Sequence, residues 1–438
     1  MSKYTILCEL SLIHPYFLGG VLTVNAQRLL TMTALIISGE AIFSLPFVIA
    51  RIFRPTLLEV LNITNLELGT AFSLYGIIAM LSYFPGGALA DRFSAKSMMI
   101  ASLLTTAIGG LLYAQLPSMF YIKALFTFWG LSTILLFWAS IISATRQWGG
   151  SDGQGKAFGI LEGGRGLLAA VLASISVYIF GLLLPNEVSQ ASLEEKQAAL
   201  KVIILIFTGL TALAAILVYF FVPSETQAQS EIKDQSSDQT STNKVDFSQM
   251  SKVLKNPAVW LQGMIIVTAY TGYKGMDDLS LLASDAYGMD EIEAATVSTV
   301  SFWTRPFAAL FAGFIGDYLG GIKTICACFI GMIFGDLVIA LGWIDTNLLW
   351  LLFMNVVITS MAVFGVRGLY FAIFDDAGVP AHLTGTAVGL VSVIGYTPDI
   401  FMGPINGYLT DSYPGALGHQ YFFAVLATFA GLGLISTL

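Results

Sequence analysis

Long apolar runs separated by short polar segments follow one another along the whole chain of 438 residues. A helix that crosses the hydrocarbon core of a bilayer needs about 20 apolar residues, which is close to the length of most of these runs. An even number of crossings would leave both termini on one side of the membrane. The pattern predicts an all-α membrane protein with twelve transmembrane helices, at 29–50, 68–90, 97–116, 119–142, 157–184, 200–222, 258–282, 294–315, 322–343, 347–370, 383–405 and 419–438.

The composition indicates a chain embedded in lipid. Hydrophobic residues make up 56% of the sequence and charged residues only 11%, which is outside the range of ordinary soluble domains. The 43 glycines suit helices that pack closely in a bilayer, and the 20 basic residues are too scattered for a nucleic-acid surface. Cys326 and Cys328 lie inside an apolar run, so we interpret them as packing residues and expect no disulfide, metal or redox cofactor.

The distribution of lysine and arginine predicts the orientation. The side opposite the termini has mainly Arg51, Arg54, Lys196 and Lys201, and most other basic residues fall on the side of the termini. By the positive-inside rule, both termini are expected to be cytoplasmic. The polar segment 223–257 predicts a cytoplasmic linker between two six-helix halves, at 29–222 and 258–438. Residues 1–28 are expected to form a cytoplasmic segment, either an interfacial helix or a loose tail.

The same short pattern ends an apolar run in each half. A glycine four residues before an aspartate lies on the same helix face, which combines close packing with an acid at the water boundary. Its two copies are Gly86-Gly87-Ala88-Leu89-Ala90-Asp91-Arg92, followed by Lys96, and Ala312-Gly313-Phe314-Ile315-Gly316-Asp317-Tyr318, followed by Lys323. The repetition indicates two pseudo-symmetric halves. The first copy resembles the loop signature of the major facilitator superfamily, and the second resembles that family's weaker counterpart in its other half.

This resemblance implies the major facilitator fold, in which two halves rock about a site near the middle of the membrane. We expect Asp91, Arg92, Lys96 and Asp317 to act at the cytoplasmic gate. Their contacts would form in one state and break in the other.

A glycine-rich segment before the fifth span has the spacing of a phosphate-binding loop up to Lys156. Ala157, however, stands where a Ser or Thr would hold magnesium, and a membrane span rather than a strand precedes the segment. We interpret it as a turn and expect no nucleotide cofactor. No nucleophile, base and third group occur together, so we expect no enzyme. The three histidines lie in loops or at span ends: His14, His382 and His419.

Ionisable residues inside predicted spans are candidates for function, because each costs about 2.5 to 3.5 kcal/mol to insert. Spacings of three or four residues place some of them on one helix face. Glu162 is beside Arg165 by this rule, and Lys274 is beside Asp277 and Asp278. Each pair forms either a static bridge or part of a polar substrate site.

The predicted substrate is a small polar metabolite, anionic or zwitterionic. Arg165 and Lys274 would hold its negative group, and Tyr270 and Tyr273 would form hydrogen bonds with its body. Arg305 is the next candidate for substrate binding.

Glu40 has no basic residue within one helical turn. A buried carboxylate without a partner can take and release a proton as water reaches it from alternate sides. We therefore predict proton symport in which Glu40 and Asp277 carry the proton. Glu162 and Asp278 are further candidates for the proton path. The alternative is a static bridge from Glu40 to Arg165 or Arg305 across the bundle.

Two more aspartates lie within the predicted spans. Asp336 is a weaker candidate for function. Asp399 follows Pro398, where a broken helix predicts a gate hinge or a cavity wall.

Three regions are similar to the organophosphate:phosphate antiporter group of that superfamily: 256–278, 385–411 and the turn that contains Trp148 and Gly155. The seventh-span arginine with which that group grips phosphate falls at Tyr273, and its fifth-span histidine falls at Arg165. Its first-span arginine has no clear counterpart, because Arg51 is expected near the outer end. A lone lysine does not replace a bidentate arginine clamp.

We therefore favour proton symport over phosphate exchange. An organophosphate:phosphate exchanger, a non-transporting sensor on the same scaffold and a drug exporter are the alternatives. The expected partners are a small-molecule substrate, protons and the lipid bilayer. We expect a monomer in a bacterial inner membrane.

Overall fold

The computed structural model describes residues 15–90, 92–150, 153–185, 188–224, 256–370 and 391–438. The expected linker lies almost entirely outside the described residues. Asp91, His14 and His382 also lie outside them.

The N-terminal half contains six spans. Span 1 is a helix at Pro15–Phe43, a π-helical turn at Ser44–Val48 and a last turn at Ile49–Ile52; a short helix follows at Arg54–Leu61. Spans 2 and 3 lie at Asn65–Ala90 and Ala95–Tyr113. Span 4 joins Met119–Leu131 to Ala139–Gly149 through a second π-helical turn at Ser132–Trp138. Spans 5 and 6 lie at Gln154–Leu183 and Leu193–Phe221.

The C-terminal half contains the other six. Span 7 joins Pro257–Gly275 to Leu279–Tyr287 through a 3₁₀ turn at Met276–Asp278. Spans 8, 9 and 10 lie at Glu291–Leu319, Gly321–Ala340 and Leu349–Leu369. Span 11 includes the helix Pro398–Ser412, and span 12 lies at Ala416–Thr437.

The twelve predicted spans agree with this architecture, with two differences. Judged by length and composition alone, nine helices among the described residues are long and apolar enough to cross a membrane. Span 7 is divided by its 3₁₀ turn, span 8 carries Glu291, Glu293 and Arg305, and span 11 is described only in part. Span 1 also begins earlier than the expected limit at residue 29, because its helix runs without a break from Pro15.

The chain crosses the bundle in alternating directions, so the bundle has two ends. At the terminus end, where span 1 begins and span 12 ends, the Trp148 indole donates a hydrogen bond to the Arg28 carbonyl at 2.7 Å. The far end carries the connections between spans 1 and 2, 3 and 4, 5 and 6, 7 and 8, 9 and 10, and 11 and 12. There Lys196 forms ion pairs with Glu59, at 2.9 Å, and with Glu291.

Two capping boxes fix where helices begin at the far end. Ser192 accepts a hydrogen bond from the Glu195 amide, and the Glu195 carboxylate accepts one from the Ser192 amide at 2.8 Å. Asp290 and Glu293 form the same reciprocal pair before span 8. Each box satisfies amides that the first helical turn leaves unpaired.

The two halves pack against each other through spans 2 and 11 and through spans 5 and 8. Glycines allow the first contact: a Cβ on Gly69 would lie 2.2 Å from the Gly403 carbonyl oxygen, and one on Gly407 would lie 2.3 Å from Leu66 Cα. The Asp411 carboxylate also accepts hydrogen bonds from the Asn65 and Leu66 amides, at 3.1 and 2.8 Å. The bundle is therefore closed at its far end by backbone contacts between the halves.

Candidate functional site

Charged side chains meet in the interior of the bundle, in two clusters between the halves. The Glu40 cluster consists of Glu40, Glu162, Arg165 and Arg305, from spans 1, 5 and 8. The Asp277 cluster consists of Arg51, Tyr270, Lys274, Asp277 and Asp399, from spans 1, 7 and 11.

The Glu40 cluster is a closed ring of two acids and two arginines. Glu40 Oε2 lies 3.6 Å from Arg165 Nε and 3.5 Å from Arg305 Nη1. Glu162 Oε1 lies 2.6 Å from Arg165 Nη1, and its Oε2 lies 3.3 Å from Arg305 Nη2. Glu40 therefore has two partners, as the static-bridge alternative predicts, and the expectation of an unpaired Glu40 is wrong.

Small residues make room for this ring. A Cβ on Gly39 would lie 3.0 Å from Arg165 Cδ, and one on Gly166 would lie 3.2 Å from Arg305 Cγ. The glycines of spans 1 and 5 thus let both arginine side chains lie along the helix backbones.

The members of the ring differ in exposure. Glu40 and Arg165 are buried, whereas the Glu162 side chain is 53% exposed and that of Arg305 is 19% exposed. Glu162 is bound to arginines of both halves, and its side chain is the most exposed of the four.

The Asp277 cluster joins span 1 to spans 7 and 11. Lys274 Nζ lies 2.6 Å from Asp277 Oδ2 and 3.4 Å from Asp399 Oδ1. Arg51 Nε donates to Asp277 Oδ1 at 2.6 Å, and the Tyr270 hydroxyl donates to Asp399 Oδ2 at 3.0 Å. The spacing of Lys274 and Asp277 correctly predicts their contact. Asp399, expected as a hinge, is a direct partner of Lys274.

Arg51 and Arg54 are buried in the structure, although the sequence places them near the outer end. Arg51 is 4% exposed and Arg54 is 1% exposed. Arg54 donates to the Asn65 side chain at 2.7 Å and to the Asp277 carbonyl at 3.1 Å. The expectation that Arg51 lies outside the site is therefore wrong, because span 1 continues through its π turn and brings Arg51 to the interface.

Asp278 does not pair with Lys274. Its carboxylate lies 2.6 Å from His419 Nδ1 and accepts a hydrogen bond from Asn406 at 3.1 Å. His419 Nε2 lies 3.3 Å from Asp285. Asp278 thus ties span 7 to spans 11 and 12 within the C-terminal half.

Tyr273 is stacked between two arginines. The guanidinium carbon of Arg51 lies 4.5 Å from the ring centre, and that of Arg367 lies 3.8 Å from it. Arg367 also lies 5.5 Å from the ring centre of Tyr270. Arg367 is in the last turn of span 10, and no sequence pattern indicates it as a site residue; its side chain reaches back into the bundle.

Among the described parts of the chain, Arg92, Lys96 and Asp317 form no ion pair, whereas Asp399, also expected at a gate, pairs with Lys274. Arg92 and Asp317 are exposed, and Lys96 Nζ lies 5.2 Å from the Tyr219 ring centre. Asp336 is 2% exposed, and its Oδ2 has no hydrogen-bond partner among the described residues.

An acidic cavity of about 330 Å³ lies at the far end, away from both clusters. Its walls include Glu59, Asp285, Glu291 and Asp411. In the described ranges, no group of three His, Cys, Asp or Glu side chains is placed to hold a metal ion.

Comparisons with known proteins agree with this architecture. A sequence profile of the Major Facilitator Superfamily matches residues 33–398. The inner membrane protein YqcE of Escherichia coli (strain K12) is 26% identical over 419 residues, which are 93% of each chain. The inner membrane protein YihN of the same organism is 24% identical over 417 residues, which are 92% of each chain.

Two solved structures share the fold. The nucleoside transporter NupG has a TM-score of 0.69 at 14% identity, over 94% of this chain and 98% of that one. A bacterial homolog of the human lysosomal transporter Spinster, in an inward-facing and unoccupied conformation, has a TM-score of 0.69 at 13% identity, over 94% of this chain and 97% of that one. Because the profile match spans most of the chain, the protein belongs to the major facilitator superfamily and is a multi-pass membrane transporter rather than an enzyme.

Proposed function

We propose that the protein moves a small polar metabolite, anionic or zwitterionic, across the membrane together with a proton, by alternating access. The observation that carries the proposal is the Glu40 cluster, a ring of four charges contributed by both halves. Charged groups in a membrane interior are costly and mark the substrate and ion paths of transporters. A site between two repeats is also what rocking of the halves requires.

The ring offers a way to take up an anion and a proton together. In the structure, Glu40 lies between Arg165 and Arg305 and engages both guanidiniums. A proton on Glu40 removes its negative charge, and the arginines can then bind an oxyanion of the substrate. One anion and one proton together leave the net charge of the ring unchanged. This exchange of partners favours symport.

The remaining charged groups would serve the same path. Lys274 is held by Asp277 and Asp399, so it binds an anion only if one of these acids is protonated or moves away. Asp277 is accordingly the second proposed proton carrier. Glu162, as the exposed member of the Glu40 cluster, is the proposed point of proton entry.

Contacts between the halves support one state of the cycle, in which the far end is closed. If the termini are cytoplasmic, as the lysine and arginine distribution predicts, the closed end is the one that faces away from the cytoplasm. The names of the two E. coli relatives support a bacterial inner membrane as the location. A single chain supplies both halves, so we propose a monomer.

Uptake into proteoliposomes tests the proposal. The full chain is reconstituted, an inward proton gradient is imposed, and radiolabelled sugar phosphates, sugar acids and amino acids are offered. Glu40→Gln is compared with Glu194→Gln, an exposed glutamate in the first turn of span 6. We expect the proton gradient to stimulate the uptake of one compound. Glu40→Gln should lose this stimulation, because the amide cannot accept the proton, whereas Glu194→Gln should keep it.

Two other outcomes would contradict proton symport. Uptake that needs internal phosphate and is unaffected by Glu40→Gln would support an organophosphate:phosphate exchanger. Binding without uptake of any compound would support a non-transporting sensor.

A further inference from the structure

Arg367 differs from the four cations of the Glu40 and Asp277 clusters. Arg51 and Lys274 are bound to Asp277, and Arg165 and Arg305 are bound to Glu40 and Glu162. The Arg367 guanidinium instead lies over tyrosine rings, and it forms no ion pair with a carboxylate within the described ranges.

Stacking by itself leaves the donors of Arg367 available. A guanidinium carries five N–H donors around the edge of its plane, and a ring against its face does not occupy them. Such an edge binds a carboxylate or a phosphate through two parallel hydrogen bonds. The guanidinium carbon is 3.8 Å from the Tyr273 ring centre, so the stack also holds the side chain in place.

The surroundings of Arg367 suit a hydroxylated body. The rings of Tyr270 and Tyr273 have centres 5.4 Å apart, and the Tyr396 ring meets Tyr270 edge to face at 4.9 Å. Tyr83 of the opposite half stacks on Tyr396 at 6.2 Å. Rings with hydroxyl groups at their edges offer both flat apolar surface and hydrogen bonds.

We propose that Arg367 is the residue that binds the anionic group of the substrate, and that the substrate is a small polyhydroxylated oxyanion whose body lies against Tyr270, Tyr273 and Tyr396. This inference rests on the proposed transport of an anionic metabolite. It assigns the first contact with the anion to Arg367 instead of Arg165 and Lys274. A substrate with a carboxylate and one with a phosphate would both bind Arg367 in this way, and the test distinguishes these two kinds of substrate.

The test uses the purified full chain in lipid nanodiscs and four probes: gluconate, glucuronate, glucose 6-phosphate and uncharged glucose. Binding is measured for the wild type, for Arg367→Gln and Arg367→Lys, and for Arg146→Gln as a control on the exposed end of span 4. Thermal melting of each empty variant shows that it is folded. Arg367→Lys keeps the charge, so it remains informative if the glutamine variant is unstable.

We expect the wild type to bind at least one acidic probe more tightly than glucose. Arg367→Gln should weaken that binding about tenfold to a hundredfold, the usual effect of losing hydrogen bonds between charged groups. Arg367→Lys should recover only part of it, because lysine lacks the two-donor edge, and Arg146→Gln should bind as the wild type does. Preference for gluconate and glucuronate, or for glucose 6-phosphate, identifies the oxyanion.

The inference is overturned if Arg367→Gln still prefers the acidic probe as strongly as the wild type does. That result does not contradict the proposed function, because the anion would then bind elsewhere in the site. It is also overturned if glucose binds as well as the acids, or if none of the four probes binds. The proposed function itself fails only if the proteoliposomes show no proton-driven uptake of any anionic or zwitterionic compound.

Discussion

Replacing Gly69 with alanine tests whether the contact between spans 2 and 11 holds the far end closed. The new Cβ would lie 2.2 Å from the Gly403 carbonyl oxygen and 2.5 Å from its carbonyl carbon. An ordinary carbon–oxygen contact is about 3.3 to 3.6 Å, so the two helices would have to separate by about 1 Å. The obstacle is backbone, which cannot turn aside as a side chain can.

The magnitude follows from the cost of overpacking. Extra atoms in a well-packed interface typically cost about 1 to 3 kcal/mol. Since the strain exists only while the far end is closed, the equilibrium should shift toward the opposite state by about 5-fold to 150-fold. Gly209→Ala in span 6 is the matched control: it gains the same helix propensity, and nothing lies within 4 Å of its added Cβ.

Pulsed electron paramagnetic resonance measures the outcome. Spin labels are placed at Ile63 and Pro414, which line one cavity at the far end on opposite halves, after the native cysteines are replaced by serine. Gly69→Ala should populate longer distances than the unmodified label pair does, and Gly209→Ala should not. Identical distance distributions and equal uptake rates in the two alanine variants would refute the reasoning.

Three further predictions concern charged residues. Lys196→Met removes the ion pair with Glu291 across the far end. It should favour opening by up to about fivefold, measured with the same label pair, because ion pairs near the surface contribute at most about 1 kcal/mol. Equal opening in the exposed control Lys201→Met would contradict this. Asp277→Asn removes the charged partner of two buried cations. It should lower the free energy of unfolding by about 3 to 5 kcal/mol and so lower the melting temperature clearly. Asp336→Asn should melt no lower than the wild type, because the altered oxygen has no hydrogen-bond partner among the described residues; a drop as large as that of Asp277→Asn would refute the comparison.

The sequence was sufficient for the twelve spans and for charge pairs within one helix. Apolar run length is a local property, and so is the spacing of three residues that brings Lys274 to Asp277 and Glu162 to Arg165. The spacing of four that links Lys274 to Asp278 fails for a local reason. The 3₁₀ turn at Met276–Asp278 changes the rotation per residue, so Asp278 points to His419 instead.

Contacts between helices could not be predicted in the same way. Arg51 and Arg367 lie near the ends of apolar runs, where hydropathy alone assigns a basic residue to the water boundary. Their long side chains reach back to the interior, and both meet Tyr273 there. The sequence offers Arg165 and Arg305 only as alternative partners of Glu40, because they come from spans 5 and 8. Deciding between an unpaired Glu40 and a bridge requires knowing which helices are neighbours.

The π-helical turn at Ser44–Val48 sets the angle about the axis of span 1 between the side chains that this helix contributes to the two charged clusters. It lies between Glu40, which belongs to one cluster, and Arg51, which belongs to the other. A turn with i→i+5 hydrogen bonds holds one residue more than an α-turn, and one residue corresponds to about 100° of rotation around an α-helix. A chain that lost one residue inside this turn would regain a regular α-helix with both side chains facing their present partners. A deletion elsewhere in span 1 between them would instead turn Arg51 away from Asp277, so we expect this helix to tolerate a change of length only at the π turn.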